Sequence, residues 1–340
     1  MVESDKIPIS IEGRTAGLRL RPAADPASYT LPAYADTTAF TEKEVKVGSG
    51  DWPLPGTLTL PRRTGRAPAV VLVHGSGPND RDETVGPNKP FRDLAVGLAS
   101  RGIAVLRYDK RTKIYASKMA VLRKATVREE VIDDAVAAVD LLAAEALVDP
   151  RRIFMLGHSL GGMLIPRIGQ EDTRLAGLIV MAGAVRPLEQ SLLDQTRYLA
   201  EAGGTVTEEE RAAIHEARTI SEQVRALKPS DAESGRFIFG VSACYWLDLR
   251  GYDPPTAARA LTQPLLVLQG ERDYQVTMDD FGMWKKALEG EPNLTFRSYP
   301  ALNHLFIPGK GKSLPAEYEI AGHVSDEVIR DIAQWIDSNK

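Results

Sequence analysis

The stretch that decides the fold is Arg152-Ile-Phe-Met-Leu-Gly157-His158-Ser159-Leu160-Gly161-Gly162-Met163-Leu164. Its apolar beginning suits a buried strand, and the residues after the serine suit a helix. A Gly-x-Ser-x-Gly sequence between a strand and a helix is typical of the sharp turn that exposes a nucleophilic serine. Glycine is needed at 157 and 161 because neighbouring backbone must come close to that turn. The stretch predicts Ser159 as a nucleophile; the alternative is a tight packing turn with an incidental serine.

Strand-like and helix-like segments alternate on both sides of this turn. The run 69–73 is continuously apolar and rich in valine, which is typical of a strand buried on both faces. The alternation predicts an α/β fold with a mostly parallel central sheet and helices on both faces. The loops at the carboxyl ends of the strands then lie together. The predicted strands are 69–73, 103–106, 153–156, 178–181, 264–268 and 294–299, after a hairpin at 45–60.

The alternation stops between residues 186 and 262, where amphipathic helical segments are predicted at 188–202, 207–226 and 236–249. We interpret 186–262 as an inserted helical cap on a core formed by residues 43–185 and 263–340. Residues 1–42 are interpreted as an N-terminal extension, with strand-like alternation at 7–11 and 18–20 followed by several prolines. This extension lies over the main domain or contacts another subunit, and the second option leaves a homodimer open.

The composition excludes several classes of protein. The net charge of −4 argues against nucleic acid as the main partner, because phosphate binding needs a basic face. The single cysteine, Cys244, excludes an internal disulfide. No apolar run approaches the roughly eighteen residues of a transmembrane helix, and the first residues do not resemble a signal peptide. We therefore expect a cytoplasmic enzyme without a membrane partner.

A serine nucleophile needs a base, and the base needs an acid that orients it. In the chain order Ser…Asp…His, the acid and the base each follow a late strand of the sheet. Asp273 follows the predicted strand 264–268, and His304 follows the predicted strand 294–299. These two residues are therefore the predicted acid and base. The alternatives are a solvated turn aspartate and an ordinary loop histidine.

The oxyanion of the tetrahedral intermediate needs N–H donors aimed at the position where charge develops. The backbone N–H of Leu160, at the start of a helix, is predicted as one donor. The other is expected in the turn His74-Gly75-Ser76-Gly77-Pro78, with Ser76 preferred and Gly75 second. The alternative is a tight turn without a catalytic role. His158 is expected to point away from its neighbour Ser159.

Further side chains near these segments bear on the substrate and on metal binding. Asp80, Asp82 and Glu83 could suggest a metal site, but no histidine lies near them at a spacing typical of metal ligands. We expect them to brace the oxyanion loop through Arg81 or Arg107, and we predict no metal and no cofactor. The predicted substrate-binding residues are Tyr245, Trp246 and Tyr274. For Tyr245 and Trp246 the alternative role is packing inside the cap.

Eight Lys or Arg residues and a single acid, Asp109, lie between Arg107 and Arg128. Such a run could bind the phosphates of an acyl carrier such as coenzyme A. The alternative is a solvated loop and helix face.

Together these motifs resemble a known family. His74-Gly-Ser-Gly-Pro-Asn-Asp-Arg-Asp82, Gly157-His-Ser-Leu-Gly161 and the positions of Asp273 and His304 closely resemble bacterial serine esterases of the α/β-hydrolase superfamily, in the branch related to dienelactone hydrolases and prolyl oligopeptidase-like enzymes. The resemblance covers roughly residues 43–338 and is weakest in the cap. It implies an α/β-hydrolase fold, Ser159 as nucleophile, His304 as base and Asp273 as orienting acid. The implied oxyanion hole consists of the Ser76 and Leu160 amides.

We therefore predict a metal-independent carboxylesterase that cleaves a small-molecule acyl ester through an acyl-enzyme. An acyl-thioesterase or acyltransferase with the same triad is the alternative that the basic run favours. A peptidase and a non-catalytic binder that keeps the fold are further alternatives.

Overall fold

The computed structural model describes residues 29–339 and, before them, the backbone of residues 10–11 and 14–15. These two pairs form a short antiparallel hairpin of strands β1 (Ser10–Ile11) and β2 (Arg14–Thr15). The rest of the strand-like pattern at 7–11, and all of that at 18–20, lies outside the described residues.

The chain enters the main sheet through an antiparallel hairpin, as predicted. Its strands are β3 (Phe40–Val47) and β4 (Leu54–Pro61), with Phe40 opposite Pro61. Phe40 is buried against Val96 and Ala99. Phe40 therefore belongs to the folded core, and the sheet begins inside the segment 1–42, predicted as the N-terminal extension.

The next elements form the first parallel unit of the sheet. Strand β5 (Ala67–Val73) is buried along its whole length and pairs in parallel with β6 (Ala104–Tyr108). Helix α1 (Pro90–Ala99) connects them and begins with a proline, which is tolerated there because the first N–H groups of a helix have no intrahelical partner.

The basic run begins with Arg107 at the end of β6 and includes two short helices, α2 (Arg111–Ile114) and α3 (Ala116–Ala120). Thr126 precedes the next helix, and its N–H donates to the Glu129 carboxylate at 2.8 Å. The helix does not start with an α turn. Its first turn is a π helix (Arg128–Ile132), which continues into α4 (Asp133–Ala144).

The predicted serine turn lies in the middle of the sheet. Strand β7 (Val148–His158) leads into Ser159, helix α5 (Leu160–Glu171) follows, and β8 (Gly177–Met181) pairs with β7 in parallel. This agrees with the predicted strand, turn and helix.

Four α-helices, one 3₁₀ helix and one short hairpin occupy the residues between β8 and the next strand of the main sheet. The helices are α6 (Leu188–Ala202), α7 (Glu208–Arg225), α8 (Ala243–Arg250) and α9 (Pro254–Arg259), with a 3₁₀ helix at Pro229–Glu233. Part of this region has a small apolar core of its own, with Ile220, Val224 and Trp246 among its buried residues. We keep the term cap for residues 186–262, and their division from the core as a separate domain stays a prediction.

The helix predicted over 236–249 begins only at Ala243. The residues before it form a short hairpin of β9 (Phe237–Ile238) and β10 (Val241–Ser242). Phe239 and Gly240 have φ values of 52° and 71°, a left-handed backbone that interrupts a helix. The Ser242 hydroxyl then accepts the Tyr245 N–H and caps α8.

The last strands complete the predicted alternation, with β11 (Leu265–Gly270), helix α10 (Met278–Ala287), β12 (Leu294–Tyr299), a 3₁₀ helix at Pro315–Glu319 and α11 (Asp326–Ser338). The strand order of the main sheet is β12-β11-β8-β7-β5-β6-β4-β3, parallel from β12 to β6. The predicted fold class, a mostly parallel sheet with helices packed on it, is confirmed. In residues 29–339 no helix combines the length and the hydropathy that crossing a bilayer requires.

Candidate active site

Ser159 lies on a strained turn between β7 and α5. Its φ of 54° and ψ of −116° fall in a region that costs a residue with a side chain on the order of 1–3 kcal/mol. The surrounding structure holds the turn, because the Ser159 N–H donates to the Met181 carbonyl at 3.0 Å and the Ser159 carbonyl accepts the Met163 N–H at 2.9 Å. The side chain is thereby presented at the carboxyl edge of the sheet.

Two glycines make this turn sterically feasible. A Cβ on Gly157 would lie 2.3 Å from the carbonyl oxygen of Gly161, and a Cβ on Gly161 would lie 2.3 Å from that of Val73. These neighbours are backbone atoms, so a small rotation of a side chain cannot relieve the contact. The predicted requirement for glycine at both positions is confirmed.

Asp273 and His304 meet in the loops after β11 and β12. His304 Nδ1 lies 2.6 Å from Asp273 Oδ2, and both side chains are buried. The other carboxylate oxygen of Asp273 accepts the N–H groups of Gln275 and Val276 at 2.8 and 3.1 Å. Because the carboxylate accepts, Nδ1 carries the hydrogen and Nε2 of His304 is left as the acceptor position of the ring.

The residue before Ser159, His158, brings the serine turn close to the His304 ring. The rings of His158 and His304 have centroids 4.6 Å apart, and Ser159 is the next residue in the chain. Among the described residues, no hydrogen bond joins the Ser159 hydroxyl to the His304 ring. In enzymes without bound substrate such a bond is often long and tightens in the reacting complex.

The turn after β5 lies against the serine. A Cβ on Gly75 would stand 3.1 Å from Ser159 Cβ. The Gly75 N–H donates to Glu83 Oε1 at 2.6 Å, which disfavours Gly75 as the oxyanion donor. The Gly75 carbonyl accepts from Lys110 Nζ at 2.8 Å. Since the peptide is trans, the N–H of Ser76 points away from that lysine. Leu160 begins α5, where a backbone N–H has no intrahelical partner.

The comparison with known proteins follows this geometry. The profile of the Hydrolase_4 family, described as serine aminopeptidase, S33, matches residues 67–307, which is more than half of the chain. The chain belongs to this family. The predicted resemblance to the α/β-hydrolase superfamily is confirmed.

A curated relative of this hydrolase is esterase EstD of Thermotoga maritima, 44% identical over 325 residues. The match covers 96% of this chain and 74% of the relative. Among solved structures, Est1E from Butyrivibrio proteoclasticus has a TM-score of 0.54 at 16% identity, covering 87% of this chain and 99% of that one. An acylaminoacyl peptidase of Pyrococcus horikoshii has a TM-score of 0.53 at 18% identity, covering 79% and 38%. At these identities the two structures show the fold alone.

Only one of the three acids of the oxyanion loop has an expected partner, and Asp80 accepts from the Thr84 hydroxyl at 2.8 Å instead of binding an arginine. Asp82 pairs with Arg107 as predicted, whereas Arg81 binds Asp109 at 2.9 Å. Glu83 binds neither arginine; its Oε2 lies 2.9 Å from Nδ1 of His158. Glu83 is buried, and its two oxygens are occupied by the Gly75 N–H and the His158 ring. In residues 29–339 no group of His, Cys, Asp and Glu has the arrangement of a metal site; the predicted absence of a metal and a cofactor stays a prediction.

The three predicted substrate-binding residues lie in different surroundings. Tyr274 follows Asp273 directly and stacks on Tyr198 of α6, with centroids 5.1 Å apart and planes 3° apart. Trp246 is 3% exposed and packs inside the cap, where its Nε1 donates to the Ile238 carbonyl at 3.0 Å. Tyr245 is buried in the main core, with its hydroxyl at the Glu130 carboxylate. Tyr274 therefore lies beside the predicted acid, whereas Tyr245 is buried in the main core and Trp246 in the small core of the cap.

Sequence reasoning missed the roles of Glu83, His158 and Lys110 in holding the site. Lys110 is 2% exposed and binds both the Gly75 carbonyl and the Glu130 carboxylate, the latter at 2.6 Å. A signal existed in that each charged residue lies within or beside a predicted catalytic segment. Each of the three binds one backbone group and one distant side chain, however, and such partners leave no pattern in a sequence.

Proposed function

We propose that this hydrolase is a serine carboxylesterase acting on small or medium acyl esters. The observation that carries the proposal is the buried 2.6 Å contact between His304 and Asp273 at the same sheet edge as the strained Ser159. The contact leaves Nε2 of His304 free to act as the general base. The identity to a protein named as an esterase supports the same reaction class.

In the proposed mechanism the Ser159 hydroxyl attacks the acyl carbon while Nε2 of His304 takes its proton. Asp273 keeps the hydrogen on Nδ1 and stabilises the imidazolium. The N–H groups of Leu160 and Ser76 bind the oxyanion of the tetrahedral intermediate. His304 then protonates the leaving alcohol, and an acyl-enzyme on Ser159 remains. A water molecule activated by His304 repeats the sequence and releases the acid.

The basic run gives little support to the thioesterase or acyltransferase alternative. Five of its eight cations are paired with carboxylates: Arg107, Lys110, Arg111, Lys124 and Arg128. Lys118 lies over the rings of Trp52 and Tyr115. A phosphorylated carrier would have to compete with these contacts, so we favour a simple ester.

Replacement of the nucleophile tests the proposal. Ser159→Ala should lower kcat on a p-nitrophenyl ester by about a millionfold, because a triad without its nucleophile retains only residual catalysis. The variant should also lose labelling by a fluorophosphonate. Ser338→Ala, at an exposed position of α11, is the matched control and should behave as wild type. An active, labelled Ser159→Ala protein would refute the function.

A substrate panel separates the remaining alternatives. Specificity constants for a p-nitrophenyl ester, a matched acyl-CoA and an aminoacyl amide should rank the ester first. We also propose that Tyr274 contacts the acyl group beside the acid loop, and substrate roles for Tyr245 and Trp246 stay predictions that the same panel tests. A homodimer through the N-terminal extension is a further proposal, which sedimentation velocity would test.

A further inference from the structure

A buried bridge of hydrogen bonds connects the oxyanion loop to the loop of the proposed base. The Gly75 N–H donates to Glu83 Oε1 at 2.6 Å, and Glu83 Oε2 lies 2.9 Å from Nδ1 of His158. Nε2 of His158 lies 2.9 Å from the carbonyl oxygen of His304. Glu83, His158 and His304 are each 4% exposed. Since Ser159 follows His158 directly, the bridge touches the oxyanion loop, the serine turn and the His304 loop.

The partners of the His158 ring determine its protonation. A carboxylate and a backbone carbonyl can only accept hydrogen bonds, and a neutral ring carries a single N–H. Both contacts are satisfied only when both nitrogens are protonated. Burial opposes this charge, but the charge and hydrogen bond of Glu83 raise the pKa of His158 above its usual value. Burial likewise opposes the charge of Glu83, and His158 holds the pKa of Glu83 below its usual value.

The bridge has two energetic costs, which are backbone strain at Glu83 and the burial of charged groups. Glu83 adopts a φ of 51°, an unfavourable conformation for a residue with a side chain. A buried ion pair is also often no more stabilising than apolar residues of the same volume. Strain and buried charge of this kind concentrate at functional sites.

We propose that Glu83 and His158 are positioning residues that hold the oxyanion loop and the His304 loop at a fixed separation around Ser159. The inference rests on the proposed hydrolase function. Gly75 is the fixed point on one side, because Glu83 holds its N–H while Lys110 holds its carbonyl. The His304 backbone is the fixed point on the other side. Loss of the bridge lets the two loops move relative to each other, which affects the reacting geometry more than substrate binding.

Two substitutions at residue 83 separate positioning from charge. In Glu83→Gln the amide oxygen still accepts the Gly75 N–H, and the amide N–H₂ donates to Nδ1 of a neutral His158, whose Nε2–H still donates to the His304 carbonyl. Glu83→Ala removes the first two of these bonds. Glu83→Ala should lower kcat by about 100-fold with KM within about threefold, because a displacement of about 1 Å costs that much, while Glu83→Gln stays within about threefold of wild type. Glu319→Ala, at an exposed site, is the control.

The ring itself supplies a second measurement that does not depend on activity. With ¹⁵N-labelled histidine at pH 6, His158 of the wild type should be protonated on both nitrogens, and in Glu83→Gln on Nε2 alone. His74, whose pKa burial lowers to about 4, is an internal reference for a neutral ring. Comparison with His158→Gln assigns the signal. This measurement decides the question even when Glu83→Ala fails to fold.

Two results would overturn the bridge: a neutral His158 in the wild type at pH 6, or a loss of kcat in Glu83→Gln equal to that in Glu83→Ala. A folded Glu83→Ala protein with wild-type kcat, beside an inactive Ser159→Ala, would refute the bridge and leave the hydrolase function intact. Full activity in Ser159→Ala would refute the function, while the protonation of His158 would still report on the bridge.

Discussion

Asp273 orients His304 by accepting the hydrogen on Nδ1. In Asp273→Asn the amide can donate to that nitrogen and stabilise the wrong tautomer. We expect kcat to fall by on the order of ten-thousandfold, as for an amide in this position of a triad. Asp279→Asn, exposed at the start of α10, is the control. A large loss in the control, with Asp273→Asn near wild type, would show that the wrong acid was assigned.

Lys110 acts on the peptide that carries the proposed Ser76 donor. Its ammonium group fixes the Gly75 carbonyl and increases the polarity of the attached N–H. Lys110→Met should lower kcat about tenfold, less than the loss of a whole oxyanion donor, with little change in KM. Lys113→Met removes an exposed lysine of the same run and should have no effect. Equal kinetics for the two variants would contradict this role.

The sequence predicts the residues whose chemistry has a fixed order and spacing. Ser159 is predicted by its glycines, and Asp273 and His304 by their positions after late strands. The contacts of Glu83 and Lys110 could not be predicted, because they depend on a loop conformation in which the N–H and the carbonyl of one residue, Gly75, are both bound by distant side chains.

The cap is joined to the site loops by an aromatic stack. Tyr198 of α6 stacks on Tyr274, and its hydroxyl donates to the Ser313 carbonyl at 3.0 Å. Tyr198→Ala should lower the free energy of unfolding by about 1 kcal/mol through loss of the aromatic pair, and it should raise KM for the ester. Tyr198→Phe keeps the ring and should remain close to wild type in KM. Urea titration and ester kinetics on both variants check this; an unchanged KM in Tyr198→Ala would show that the stack does not shape the substrate site.

Elements with a clear periodicity were predicted within a few residues, and the exceptions have local causes. The hairpin β9–β10 replaces a predicted helix because two successive residues adopt positive φ, which an apolar pattern does not encode. The π turn at Arg128–Ile132 is similarly invisible to a 3.6-residue period.

At the scale of the whole molecule, His323, which precedes α11, makes a pH-dependent contact with Asp93 of α1. His323 Nδ1 lies 3.1 Å from the buried carboxylate of Asp93, which also accepts from the Tyr29 hydroxyl at 2.6 Å. The hydrogen bond with Asp93 raises the pKa of His323 above 6.5. A raised histidine pKa contributes stability that is fully present below the unfolded value and is lost as the pH rises through the folded value.

The stability advantage of the wild type over His323→Gln should therefore shrink as the pH rises above 6.5. Chemical denaturation at pH 5.5 and 8.5 measures it. His215→Gln, at an exposed position of α7, is the control. An advantage that grows with pH would have the wrong sign and would reject the contact as its source.

The outermost strand β3 presents a charged margin to solvent. Four charged side chains lie exposed along it: Glu42, Lys43, Glu44 and Lys46. Unpaired edge strands recruit strands from other molecules unless charge or shape prevents it. Addition of a second copy in parallel register would place like charges beside one another. Glu42 and Glu44 are also held in ion pairs with Arg107 and Arg81. In concentrated solution this margin should resist the sheet-to-sheet growth that leads to fibrils.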